Sequence, residues 1–231
     1  MSFWGDRTAL YDVIVSYAFF LPRVSAMNRI GPHCWEFCQI AVGLLLSDAH
    51  AEKHDNGVRI SFQQESHNRD YFHVVNSKLY NMGYISSDNP QLYTRINHAN
   101  ELRYYYRLNT FTFGSLGWVR ELFYIDGVKR IHTELDLFLT RISLAHWIAG
   151  DGTAVNKAFS FCTQNFSKQD CELLVQILQR KFNLICSLQS QGDTKKAQYQ
   201  IYVTVSSMPQ LRAIVLPHLH PSMHYKLGVN N

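Results

Sequence analysis

Two aspartates close two similar apolar phrases 103 residues apart: Ala41-Val42-Gly43-Leu44-Leu45-Leu46-Ser47-Asp48-Ala49 and Leu144-Ala145-His146-Trp147-Ile148-Ala149-Gly150-Asp151-Gly152. A carboxylate at the end of an apolar run is costly to bury unless it is paired or binds a metal. Two such runs suggest two similar halves, each giving one carboxylate to a shared site. Hard divalent cations prefer carboxylate oxygens. Held between Asp48 and Asp151, such a cation would lower the pKa of an attacking water and offset charge on a phosphate. The five cysteines offer no comparable site. Cys34 and Cys38 lie one helical turn apart beside His33, but no second ligand pair stands at metal spacing, so reduced thiols are expected.

The elements that must position the two acids are helices. Small residues recur four apart in both phrases, Gly43 with Ser47 and Ala145 with Ala149, and such stripes let two helix backbones approach closely. Facing stripes would bring Asp48 and Asp151 to one end. Along the chain, residues 1–31 read as irregular and end at the turn signal Arg29-Ile30-Gly31-Pro32. Helical patterns cover His33–Asp48, Asn68–Tyr80, part of Phe111–Phe123, Ile131–Leu139 and Ile142–Asp151. A further helix runs from a Ser167 cap, with Asp170 at the third position, to about Phe182. The last runs over Ser207–Leu216, with Pro209 in its first turn and Pro217 as a stop. Strand patterns cover Val58–Glu65, Leu92–His98, Leu102–Leu108, Ala158–Thr163, Leu184–Gln189 and Gln198–Val205. Each half thus reads α-β-α-β-β-α, as expected after duplication and fusion. The expected division is an N-terminal arm over 1–32, half-domains over 33–125 and 142–231, and a linker over 126–141.

The chain has 231 residues, enough for one large domain or two half-domains, and a net charge of +4 that leans weakly towards a polyanionic partner. No stretch reaches the ~20 apolar residues of a membrane span. Val13–Leu21 is too short for one and lacks the flanks of a secretory signal.

The two phrases resemble the signature of the LAGLIDADG homing endonucleases. In the second copy Leu144, Ala145, Ile148, Asp151 and Gly152 match letter for letter, while His146, Trp147, Ala149 and Gly150 depart. In the first, Gly43, Leu44 and Asp48 match, with Ser47 and Ala49 as small substitutes. The stretches Ser143-Leu144-Ala145-His146-Trp147 and Thr163-Gln164-Asn165-Phe166-Ser167-Lys168, and the closing His220-Pro221-Ser222-Met223-His224-Tyr225-Lys226-Leu227, are similar to the single-chain, two-motif group. The resemblance covers about residues 34–228. It implies an α+β fold of two pseudo-twofold-related αββαββα-like halves, with a paired-helix interface and saddle-shaped antiparallel sheets. It implies a monomer that cuts both strands of a long asymmetric DNA site and leaves short 3′ overhangs. By the same resemblance, Asp48 and Asp151 bind Mg²⁺ with the backbone carbonyls of Ser47 and Gly150. Mn²⁺ would substitute, and Ca²⁺ would bind without supporting cleavage. Lys226 and Lys129 are the candidate catalytic lysines, and Gln63 and Gln164 would hold solvent. Such proteins are typically encoded by mobile introns of organelles, a mitochondrion ahead of a chloroplast. Some act as RNA-binding maturases of their host intron, so intron RNA is the alternative partner; a catalytically silent DNA-binding module is another.

The strands supply groups suited to duplex DNA: Lys53, Arg59, Arg95, Asn97, Arg103, Tyr105 and Arg107 in the first half, and Lys157, Gln189, Lys195, Lys196, Gln198 and Gln200 in the second. Alternation puts Arg103, Tyr105 and Arg107 on one face, and Gln198 with Gln200. Arg, Asn and Gln match base edges in a major groove that admits a β-ribbon. Lys195 and Lys196 at a hairpin tip suit phosphates. Without the resemblance, these would read as solvated sheet faces.

Overall fold

The computed structural model describes residues 24–54, 57–97, 99–191 and 198–229. Seven helices among them are α1 (Trp35–Leu46), α2 (Arg69–Asn81), α3 (Gly117–Phe123), α4 (Leu135–Phe138), α5 (Arg141–Asp151), α6 (Lys168–Phe182) and α7 (Met208–Val215). The first sheet comprises β1 (His50–His54), β2 (Gly57–Glu65), β3 (Leu92–Ile96) and β4 (Leu102–Asn109). A small hairpin joins β5 (Tyr124–Ile125) to β6 (Val128–Lys129). The second sheet comprises β7 (Gly152–Val155), β8 (Ala158–Cys162), β9 (Cys186–Gln191) and β10 (Gln198–Val203). The two four-stranded sheets have equivalent orders, β1-β2-β4-β3 and β7-β8-β10-β9, and every pairing is antiparallel. Each half therefore runs α-β-β-α-β-β-α. The extra strand in each is the one leaving the aspartate, β1 or β7, which the α-β-α-β-β-α reading passed over.

Contacts divide the chain differently from sequence order. Among the described residues, one compact unit takes in those up to Cys38 with those from His50 to Gly117, and the other takes in Gln39–Ala49 with those from Trp118 onward. Most of α1 thus groups with the second unit. The reason is its surface: from Phe37 to Ser47 every residue is buried. A helix that is apolar all round has no solvent face and must be enclosed.

In the first unit, β2 and β4 lay Phe62 and Tyr106 against Phe72 of α2, with ring centroids 5.5 Å apart in both the Phe62–Phe72 and Phe72–Tyr106 stacks. In the second, Trp147 of α5 stacks on Phe161 of β8 at 4.0 Å. Burying one such ring is worth about 2–3 kcal/mol, so these stacks fix which sheet face turns inward.

Caps set the helix ends. Ser167 and Asp170 form the expected capping box of α6, and Thr140 with Ser143 forms another at α5. The Thr140 hydroxyl also donates to Gln39 Oε1 at 2.7 Å, tying the start of α5 to α1. None of the five cysteines is in a disulfide. No helix among the described residues is long and apolar enough to cross a membrane. Residues 1–23 of the expected arm, His98, Lys195 and Lys196 lie outside the described residues.

Candidate active site and nucleic-acid faces

The helices α1 and α5 meet through glycines. A Cβ on Gly43 would stand 2.4 Å from the Ser143 carbonyl oxygen and 2.6 Å from His146 Cβ. A Cβ on Gly150 would stand 2.4 Å from Ser47 Cβ and 3.0 Å from Asp48 Oδ2. Ser143, His146 and Gly150 thus stand where α5 meets these positions of α1; the stripe expected from small residues is Ala145 with Ala149. In the repeat, Gly43 corresponds to His146 and Ser47 to Gly150. Each of these contacts thus joins equivalent positions, with glycine on one side only. His146 and Gly150, which depart from the LAGLIDADG pattern, are the residues that meet α1.

This approach sets the Asp48 carboxylate against the residue just ahead of Asp151. Burial, and then the charge of Asp48, push the Asp151 carboxyl up to about 7, with Lys129 and Lys226 opposing the rise. Lys129, on β6, donates from Nζ to the Ser47 carbonyl at 3.2 Å. Lys226, in the 3-10 turn Pro221–Leu227, donates to the Gly150 carbonyl at 2.6 Å. Each lysine thus sits at the C-terminal end of one motif helix, where the helix dipole favours a cation. Burial pushes Lys129 down to about 8 and lowers Lys226, with the two aspartates opposing both shifts.

Lys129 is held by its neighbours. Its ammonium lies 5.4 Å from the centre of the Phe166 ring. Arg130 Nε donates to Asp170 Oδ2 at 2.8 Å, and the Ile131 amide donates to Asp170 Oδ1 at 3.1 Å. Asp170, expected only to cap α6, also anchors the strand end that carries Lys129. That long-range contact has no signal in local spacing.

The donor set fits a hard divalent cation. Two carboxylates and the Ser47 and Gly150 carbonyls are all oxygen ligands, and each carbonyl already accepts from a cation, the ammonium of Lys129 or Lys226. No cluster of three or more His, Cys, Asp or Glu side chains at metal spacing occurs among the described residues.

The two candidate glutamines are not equivalent. Gln63 lies on β2 opposite Arg107 of β4. With its amide oxygen facing the guanidinium, it accepts from Arg107 Nε at 3.0 Å and Nη2 at 2.6 Å. Gln164 is exposed in the turn after β8.

On the first sheet, Arg59, Arg95, Arg103, Tyr105 and Arg107 share the face turned away from Phe62 and Phe72. Arg59 pairs with Glu52 at 2.7 Å, Arg103 with Glu101 at 2.7 Å, and Arg95 with Glu65. Arg95 also lies 5.4 Å from the Tyr105 ring centre. Two of the candidates stand apart from this set. Lys53 stands opposite Val58, on the other sheet face, because alternation separates it from Glu52 and Arg59. The Asn97 side chain builds the β3–β4 turn: its Oδ1 accepts from the Ala99 and Glu101 amides at 3.0 and 2.9 Å. On the second sheet, Gln189, Gln198 and Gln200 share one face through the β9–β10 register, and Lys157 is exposed between β7 and β8.

Residues 38–211 match the model of the LAGLIDADG DNA endonuclease family. The chain is 37% identical over 209 residues to the cytochrome b mRNA maturase bI2 of Saccharomyces cerevisiae, covering 87% of itself and 49% of that relative, about half its length. It is 33% identical over 151 residues to the intron-encoded endonuclease ai4 of Dictyostelium discoideum, covering 64% of itself and 94% of that protein. Its structure is similar to that of the homing endonuclease I-WcaI bound to its DNA recognition sequence, with a TM-score of 0.77, 25% identity, and coverage of 94% of this chain and 99% of that one. Together with the repeated half-domains and the motif helices that close on Asp48 and Asp151, the match over most of the sequence shows that this chain belongs to the LAGLIDADG DNA endonuclease family.

Proposed function

We propose that the chain is an intron-encoded endonuclease that cuts both strands of a long, asymmetric duplex DNA site by metal-dependent phosphodiester hydrolysis. The observation that carries this reading is the repeated constellation at the ends of α1 and α5: an aspartate, the carbonyl just ahead of it, and a lysine on that carbonyl. Two such sets suit two strands. Asp48 and Asp151, with the Ser47 and Gly150 carbonyls, would hold divalent cations, Mg²⁺ in the cell. Bound there, the cation supplies an activated water and charge neutralisation at the phosphate. Lys129 and Lys226 would stand ready to offset charge on the leaving oxygens. Gln63 and Gln164 would order solvent, and the sheet faces would hold the duplex. The chain would act as a monomer, and the cytochrome b maturase relative points to a mitochondrial intron as its source.

The second reading is an RNA-binding maturase, favoured by that same relative. One experiment separates them. The full chain is incubated with a randomised duplex library and with host-intron RNA, in Mg²⁺, beside Asp48→Asn, Asp151→Asn. Recovery of one long asymmetric site, cut only by the unmodified chain, is the expected result. Absence of any cut by folded protein, with splicing assistance intact in both chains, would establish the maturase reading instead.

A further inference from the structure

The two sheets present different chemistry on equivalent faces. On the first, Arg59, Arg95, Arg103 and Arg107 share one face. Arg95 and Arg103 stand directly opposite each other across β3 and β4. Like charges in that position repel, and each is offset by its own glutamate, Glu65 or Glu101. Glu65, Glu101, Glu52 and Gln63 each engage one guanidinium, and the four arginines stay partly or fully exposed. The second sheet is the reverse. Strands β7, β8, β9 and β10 contain no Asp, Glu, Lys or Arg. Their equivalent face carries Gln189, Gln198 and Gln200, with Ser187 and Tyr202 beside them in register.

These two sets match different base edges. A guanidinium donates two parallel hydrogen bonds to guanine O6 and N7; a glutamine amide donates and accepts, as adenine N6 and N7 require. We infer that the first sheet reads a half-target marked by guanines through its arginines, and the second a half-target marked by adenines through its glutamines. The inference rests on the endonuclease reading and adds to it the composition of the site. The same partition assigns the two sheets different salt responses. Loss of an arginine removes a charge facing the duplex, whereas loss of a glutamine removes base contacts alone.

The test is binding selection from randomised duplex DNA, with the full unmodified chain in EDTA. It is repeated for Arg103→Ala, Arg103→Lys, Gln200→Ala and Gln200→Arg. The expected target has guanine positions that relax about tenfold in Arg103→Ala, confined to one half. Arg103→Lys keeps the salt slope and loses the guanine preference, because it keeps the charge without the fork. Adenine positions in the other half relax in Gln200→Ala with the salt slope unchanged. Gln200→Arg turns one of them towards guanine. A specific site with the same base pattern in both halves would overturn the inference and leave the endonuclease reading standing. So would Arg103→Ala weakening all sequences equally, which marks a phosphate contact. If no duplex sequence is selected at all, the endonuclease reading fails and the inference fails with it.

Discussion

At the scale of single residues, the site is a compromise between charge and burial. Asp151 is pushed up to about 7 by burial and by Asp48, so without a cation its charged form works against the fold. Asp48→Asn, Asp151→Asn is therefore expected to abolish cleavage and to stabilise the metal-free chain at pH 8 by about 1–3 kcal/mol. Thermal unfolding in EDTA checks the second part; an unchanged or lower Tm would show that the acids are already compensated within the protein. A second residue sets a pH dependence away from the site. His33 joins Tyr84 through Nδ1 at 3.2 Å and Ser115 through Nε2 at 2.8 Å, and burial lowers its pKa to about 4. Below the usual value of about 6.5 the unfolded chain takes up a proton that the folded one refuses, so stability is lost as pH falls from 6.5 towards 4. Allowing for the ring's partial exposure, the loss is about 1–2 kcal/mol. Urea titrations at pH 7 and 4.5 should show it, and His33→Gln should flatten the difference. The pairing of Asp48 with Asp151 was legible from the motifs and Lys226 from the closing segment, whereas Lys129 came from the family resemblance alone. The partner of Gln63 was not, because its contact with Arg107 depends on the β2–β4 register, which no local spacing encodes.

At the scale of elements, the closeness of α1 and α5 is the constraint from which the site follows. A methyl group on Gly150 would fall 2.4 Å from Ser47 Cβ, and overpacking of this kind costs about 1–3 kcal/mol. Gly150→Ala is expected to lie at the upper end of that range, and Ser47→Gly added to it should return part of the loss. A double-mutant cycle by urea unfolding should give a coupling of about 1–2 kcal/mol; additive losses would mean that the helices do not meet here. The β6 end depends likewise on α6. Asp170 is buried, and it accepts from Arg130, Ile131, and the amide and hydroxyl of Ser167. Asp170→Ala should cost about 3 kcal/mol, since it strands a guanidinium and removes a cap. Asp170→Asn should slow cleavage under conditions where circular dichroism still reports a folded chain, because Lys129 immediately precedes the residues released. The longer helices and inner strands were legible from periodicity, with ends displaced by at most two residues. The missed strands, β1 with sequence His-Ala-Glu-Lys-His and β7 with Gly-Thr-Ala-Val, are short edges. They lack an alternating apolar pattern, and only pairing to β2 and β8 makes them strands.

At the scale of the molecule, duplication explains why so much could be read: each half supplies a second witness for the other, down to matching strand orders. It also poses a pairing problem, because two similar halves could each pair with a copy of itself. The contacts between α1 and α5 argue against this. Gly43 meets His146, and Gly150 meets Ser47, each pair joining equivalent positions of the repeat. Self-pairing of the second half would set His146 against His146 and Gly150 against Gly150, overfilling one point and leaving a void at the next. Self-pairing of the first would place Gly43 against Gly43 and Ser47 against Ser47, with the reverse faults. Both carry costs that the mixed pair avoids. The backbone can be opened between Thr133 and Glu134, two exposed residues in a turn. Co-expressed fragments 1–133 and 134–231 are expected to assemble one to one, because the first brings α1 and the second brings α5. Either fragment alone would leave a buried helix face bare to water and should aggregate or remain partly unfolded. Size-exclusion chromatography with light scattering distinguishes the outcomes. A stable homodimer of residues 134–231 would show that His146 and Gly150 do not set the choice of partner, and that covalent linkage alone keeps the halves together.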